Sequence, residues 1–179
     1  MLTASLFADI GGAKTLVMAA LAVVIAVYLW SLSRREKKAA EEKTILTADK
    51  LAATADEQLV DTVVRDLLAS CENAKRDPYR MAATWSNAQV NVYSVWLIVK
   101  ELSVGDFASL KTSPSGAFLA LAADGFAQIG APRCEAVVRE ALESDEAFDE
   151  AFAAAVAEEA PLTLCVPYIR DNAESFTNE

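Results

Sequence analysis

The chain has 179 residues, 54% of them apolar, and a formal net charge of −10 from 26 acidic and 16 basic residues. Histidine is absent, which removes the commonest general base, the commonest metal ligand and the usual switch near neutral pH. From Thr44 onward 22 acidic residues stand against 10 basic ones, so direct binding to nucleic acid or to an anionic lipid surface is not expected, because phosphates would be repelled.

The first element is an apolar run. Leu16 to Trp30 is fifteen apolar residues without a break, and Thr15 to Leu32 makes an almost wholly apolar stretch of eighteen. At ~1.5 Å per residue eighteen residues reach ~27 Å, close to the ~30 Å hydrocarbon core of a bilayer. A signal peptide would put positive charge before the run and small residues at a cleavage site after it. Here the order is reversed: only Lys14 precedes, while Arg34, Arg35, Lys37, Lys38 and Lys43 follow. Tyr28 and Trp30 suit the headgroup layer. Residues 15–33 therefore read as a single transmembrane anchor in the cell (inner) membrane, with 1–14 a short extracytoplasmic N-terminus and everything later cytoplasmic. Thr15, Ala19, Ala22, Ala26 and Ser33 share one face and could pack against another membrane helix, although alanine is simply abundant here. The GGAKT stretch, 11–15, lacks the glycine before the lysine, the earlier glycine and the strand of a phosphate loop.

Residues 34–43 mix charges that pair at helical spacing, and TILTADK follows as a linker. This gives a charged juxtamembrane segment over 34–53 and an acidic helical domain over 54–179. TADE, 54–57, has the form of a capping box in which Thr54 and Glu57 would open a helix. Apolar pairs at 59/60, 63/64 and 67/68, then Cys71, give that helix an inward face, leaving Asp61, Asp66 and Glu72 on the outer one. SNAQ, 86–89, is a second capping box. The helix it opens, to about Leu102, is apolar nearly all round and is expected at the centre of a bundle. Trp85, Tyr93 and Trp96 are spaced for helix contacts, not for stacking bases.

Gly105 and TSPSG, 112–116, mark turns. Ala117–Ile129 reads as a helix closed by Gly130, and Pro132 suits the first turn of the next, which runs to about Glu143. A further helix carries Phe148 and Phe152 at i and i+4 and stops before Pro161. The last segment is expected to be helical from about Pro167. No stretch alternates with period two, and the expected class is all-α: one transmembrane helix plus a cytoplasmic multi-helix bundle. The three cysteines, Cys71, Cys134 and Cys165, are few, separated and in apolar settings, so they read as core residues rather than disulfides.

Several short motifs then fall in a recognisable order. Lys100-Glu101-Leu102 ends the central helix, Gly105 and Phe107 follow, then a Ser-Gly pair, Ile129-Gly130-Ala131, Tyr168-Ile169 and Phe176. This order, over roughly 55–177, resembles the small all-helical bacterial family typified by DNA mimic protein 19. At the turn the family pattern is E-x-x-N-G-G-F-x-Q; Glu101, Gly105 and Phe107 match. Val104, Asp106 and Ser109 replace the Asn, the second Gly and the Gln, so the polar side chains that would order the turn are not those of the family. The resemblance implies a binding protein whose acidic surface imitates DNA for a DNA-binding partner.

Such imitation needs carboxylates in rows, since duplex DNA carries about one charge per 1.7 Å of axis. Between Glu135 and Glu179 there are twelve acidic residues and two basic ones, Arg139 and Arg170. The plain alternative is a solvated, solubilising face. SDEAFDE has no loop glycine for Ca²⁺ or Mg²⁺, no cysteine has a histidine partner and no G-x-S-x-G elbow exists. Neither metal nor cofactor is expected, and no enzymatic activity. The expected function is a membrane-anchored adaptor or accessory subunit docking a protein through Glu143, Glu146, Asp149, Glu150, Glu158 and Glu159. Its partner would be a membrane complex or a basic soluble protein. A DNA-mimic regulator and a cryptic carboxylate enzyme are the alternatives.

Overall fold

The computed structural model describes residues 46–144 and 148–177. The expected anchor at 15–33, its packing face, its flanks and Glu146 lie outside the described residues. Among the described residues there are nine α-helices and two short 3₁₀ turns, and no strand, so the all-α reading holds. No single helix among them is long and apolar enough to cross a membrane.

The helices are α1 (Ala48–Ala53), α2 (Asp56–Ala74), α3 (Pro78–Ala82), α4 (Asn87–Val104), α5 (Phe107–Thr112), α6 (Leu119–Ile129), α7 (Pro132–Glu143), α8 (Phe148–Glu159) and α9 (Pro161–Asp171). The central helix α4 starts as its sequence dictates. The Ser86 side chain accepts the Gln89 N–H at 3.1 Å, and the Gln89 side chain accepts the Ser86 N–H at 2.9 Å. Val92, Val95 and Ile98 on α4 are fully buried, as is Ser94, and Asn91 is mostly buried. Trp85, Tyr93, Trp96 and Phe118 pack ring to ring, with Tyr93 5.0 Å from Trp85 and 5.2 Å from Phe118.

Helices α4 and α6 cross closely, and Gly125 is the reason they can. A Cβ there would stand 2.9 Å from the Asn91 carbonyl oxygen and 3.0 Å from a Val95 methyl. Helix α6 ends at Gly130, whose φ of 82° is the left-handed conformation that lets the chain turn at once into α7.

The sequence reading needs correction at four places. The capping box at Thr54 does not form. Thr54 ends α1, its hydroxyl donates to the Lys50 carbonyl at 2.7 Å, and Ala55 precedes α2 without a side-chain cap. The cause is burial upstream: Leu46 and Leu51, within and just past the expected linker, are core residues, so 48–53 is drawn into a helix of its own. The turn at Gly105 is followed by a short helix, α5, capped by Asp106, which accepts the Ser109 N–H at 2.7 Å. Asp106 thus orders this turn through its own side chain. Helix α9 begins at Pro161 rather than Pro167, which sits inside it. An interior proline costs ~3 kcal/mol, but Cys165 and Ile169, both fully buried, hold α9 against the core. Lastly, Asp66 is not on the outer face; one of its oxygens is buried without a hydrogen-bond partner in the described structure.

Candidate docking surface

Helices α7 and α8 each bury one stripe and expose the rest. On α7, Cys134, Val138 and Ala141 point inward at i, i+4 and i+7, and on α8 Phe148, Phe152 and Ala155 do the same. The two phenylalanines stack with rings 5.3 Å apart, Phe148 meets Phe107 at 4.0 Å, and Phe152 meets Phe126 at 5.9 Å. This aromatic seam fixes α8, and with it the carboxylates on its other faces.

The acidic residues named from the sequence have unequal employment. Asp149 accepts the backbone N–H of Phe107 at 2.9 Å and so caps α5. Glu159 takes the N–H groups of Arg133 and Cys134, both at 2.8 Å, at the start of α7. Burial pushes its carboxyl up, but those two N–H groups, together with the Cys134 side chain and the Arg133 charge, outweigh burial and hold it below the ordinary carboxylate range. Glu158 pairs with the Arg133 guanidinium. Glu143 and Glu150 are exposed and meet no cation among the described residues, and the same is true of Glu140.

The arginines at 139 and 170 are already paired. Arg139 bridges Asp124 and Glu135, each at 2.8 Å, and Arg170 reaches across to Asp56 at 2.8 Å. Beside the acids, α4 and α8 leave a small apolar groove of about 280 Å³, whose walls include Val99, Leu102, Phe152 and Val156. Ala153 and Ala157 also line it, and the carboxylate among its lining residues is that of Asp149.

No group of three or more His, Cys, Asp or Glu side chains among the described residues could hold a metal ion. The three cysteines are buried and free. Burial pushes the Cys134 and Cys165 thiols up to about 12, so neither is a thiolate at neutral pH.

A family model described as DMP19-like protein matches residues 83–172, which runs from the approach to α4 through α9. The chain belongs to the DMP19-like family. The DMP19-like match contains both the aromatic seam and all the acids of α7 and α8, while α1 and α2 precede it and pack into the same core. Membership in the DMP19-like family points to a protein-binding role, of which DNA imitation is one form. No curated protein and no solved structure matches the chain.

The sequence carried a signal for the aspartate at 106, since an acidic residue directly before an apolar one opens helices. It carried none for the separation of Asp149 and Glu159 from Glu143 and Glu150. All four read as exposed acids until the N-termini of α5 and α7 are placed beside two of them.

Proposed function

We propose that this protein is a non-enzymatic interaction module that docks a basic protein partner through the outward carboxylates of α7 and α8. The observation that carries this reading is that Glu143 and Glu150 stand exposed without a cation among the described residues, while nearby Asp149 and Glu159 serve internal caps. Charges in that state steer and orient a complementary surface without first breaking internal pairs. The apolar groove between α4 and α8 gives a partner something to bury once it has arrived.

The run at 15–33, with basic residues after it, supports anchoring in the inner membrane with the helical domain in the cytoplasm. A tether of this kind works by effective concentration, holding the domain near partners at the same surface. Family membership favours a second reading, in which the acidic surface imitates DNA and sequesters a DNA-binding protein.

The test is affinity purification of the full chain in mild detergent, eluted along a salt gradient and identified by mass spectrometry. A Glu143→Lys, Glu150→Lys double variant is run alongside. Loss of the partner in the variant supports the docking face. If the variant retains its partner, that face is only a solvated surface. Displacement by duplex DNA, with steep salt dependence, selects the mimic reading over the adaptor.

A further inference from the structure

Away from the α7–α8 surface, helices α2, α4 and α9 leave an open groove of about 580 Å³. Val60, Leu162 and Val166 form its more buried floor, while Glu57 and Asp61 stand exposed on the α2 side and Lys100 on the α4 side. The walls are fixed in place. Arg170, one turn beyond Val166, donates to the carbonyls of Leu51 and Thr54 and to Asp56, which pins α9 to the α1–α2 junction. The Trp96 indole N–H holds one oxygen of Asp61 at 3.2 Å.

The lining is short of donors. Pro167 faces the groove and has no N–H, so the carbonyl of Thr163, which also lines it, has no donor at the i+4 position. Glu57 meets no cation among the described residues, and Asp61, one of whose oxygens is held by Trp96, is exposed and lines the groove as well. Against these acceptors the lining sets one ammonium, Lys100, one helical turn beyond Trp96 on α4. A ligand that satisfies this lining brings several N–H donors and positive charge together with aliphatic surface. An arginine side chain beside leucine-like neighbours does so, because its planar head carries five donors and its stem lies along apolar surface.

We propose that this groove is a second docking site, which takes a segment of a partner protein in which an arginine is flanked by aliphatic residues. The aliphatic side chains rest on Val60, Leu162 and Val166, and the guanidinium reaches Glu57, Asp61 and the Thr163 carbonyl. Lys100 repels a cation along α4 and so turns the guanidinium toward Glu57 on α2. Because apolar burial contributes as well as charge, binding here resists salt better than docking on an open acidic face. The site stands on different helices from Glu143 and Glu150 and does not depend on their role.

The experiment is a selection of random short peptides displayed on phage against the full chain in phosphatidylcholine nanodiscs, with empty discs removing lipid binders. The enriched sequences are expected to place arginine next to leucine, isoleucine or valine. Synthetic copies should bind about tenfold more weakly to Thr163→Arg, which fills the groove from an exposed position, and to a Glu57→Gln, Asp61→Asn double variant. Glu72→Gln, which removes a charge from the same helix outside the groove, should change affinity by less than about twofold. Failure to enrich any sequence, enrichment without arginine, or equal binding by Thr163→Arg overturns the proposal.

Discussion

The carboxylate of Asp149 on α8 accepts the backbone N–H of Phe107 at the start of α5, across 2.9 Å and 42 positions of sequence. The first N–H groups of a helix have no partner within it, and Asp149 supplies one while the Phe107 ring packs on Phe148. Asp149→Ala is therefore expected to cost about 1–2 kcal/mol. Glu150→Ala, one residue along the same helix, should cost less than about 0.5 kcal/mol. Urea unfolding followed by circular dichroism separates the two, and equal losses would reduce Asp149 to an ordinary surface charge.

Glu159 makes the corresponding contact at the start of α7 with both of its oxygens. Its carboxyl is held below the ordinary range in the folded chain, so it binds its proton less readily there than when unfolded. Its contribution to stability is thus present above the unfolded value of about 4.3 and is lost as pH falls through the lower folded value. Glu159→Gln should melt at a lower temperature than the natural chain at pH near 7, with the gap closing in acid. A gap that stays constant down to the acid limit would show that charge plays no part.

Asp66 has the opposite sign. Burial raises its carboxyl from the ordinary 3.8 to about 6, against the opposing pull of Lys50 and of the Leu46 backbone N–H. The folded chain holds a proton that the unfolded chain has released, so this residue's contribution is fullest below pH 3.8 and is lost as pH rises through 6. Asp66→Asn should be more stable than the natural chain at pH near 7, by about 1–2 kcal/mol once screening at a half-buried site is allowed for. Thermal melts across this range should show the advantage disappearing toward the acid end. A variant that is less stable at neutral pH would mean that the Lys50 attraction outweighs burial.

Gly125 and Gly130 are both required, for different reasons, and substitution should distinguish them. A methyl group at 125 meets the Asn91 carbonyl at 2.9 Å and the Ser94 hydroxyl at 3.2 Å. That overpacking should cost about 1–3 kcal/mol, outweighing the ~1 kcal/mol by which alanine favours a helix over glycine. Gly130 has open space around it, and only its φ of 82° is at issue, so Gly130→Ala should cost about 1 kcal/mol. Denaturant midpoints should fall for both variants, and Gly125→Ser, with its larger side chain, should fall below Gly125→Ala.

Helices whose period and punctuation agreed were legible from residue order alone. The Ser86–Gln89 box, the Gly130 stop, Pro132 at a first turn and the Phe148–Phe152 pair each act through residues within four positions, so a linear string displays them. The failures share one cause. Thr54 lost its expected capping role because Leu46 and Leu51 found room in the core, and Pro167 stayed inside α9 because Cys165 and Ile169 were held from across the bundle. In both places a tertiary contact overrode a sound local preference.

The sequence by itself determined the all-α class, the central place of the helix after Ser86, the net acidity of the domain and the family, since these depend on period, composition and motif order. Only the tertiary structure decided which acids are structural and which face outward. Asp149 and Glu159 differ from Glu143 and Glu150 in nothing that composition records. They differ because the unpaired N–H groups of α5 and α7 come to rest within 2.9 Å of the first two, and hydrogen bonding is a matter of distance in space.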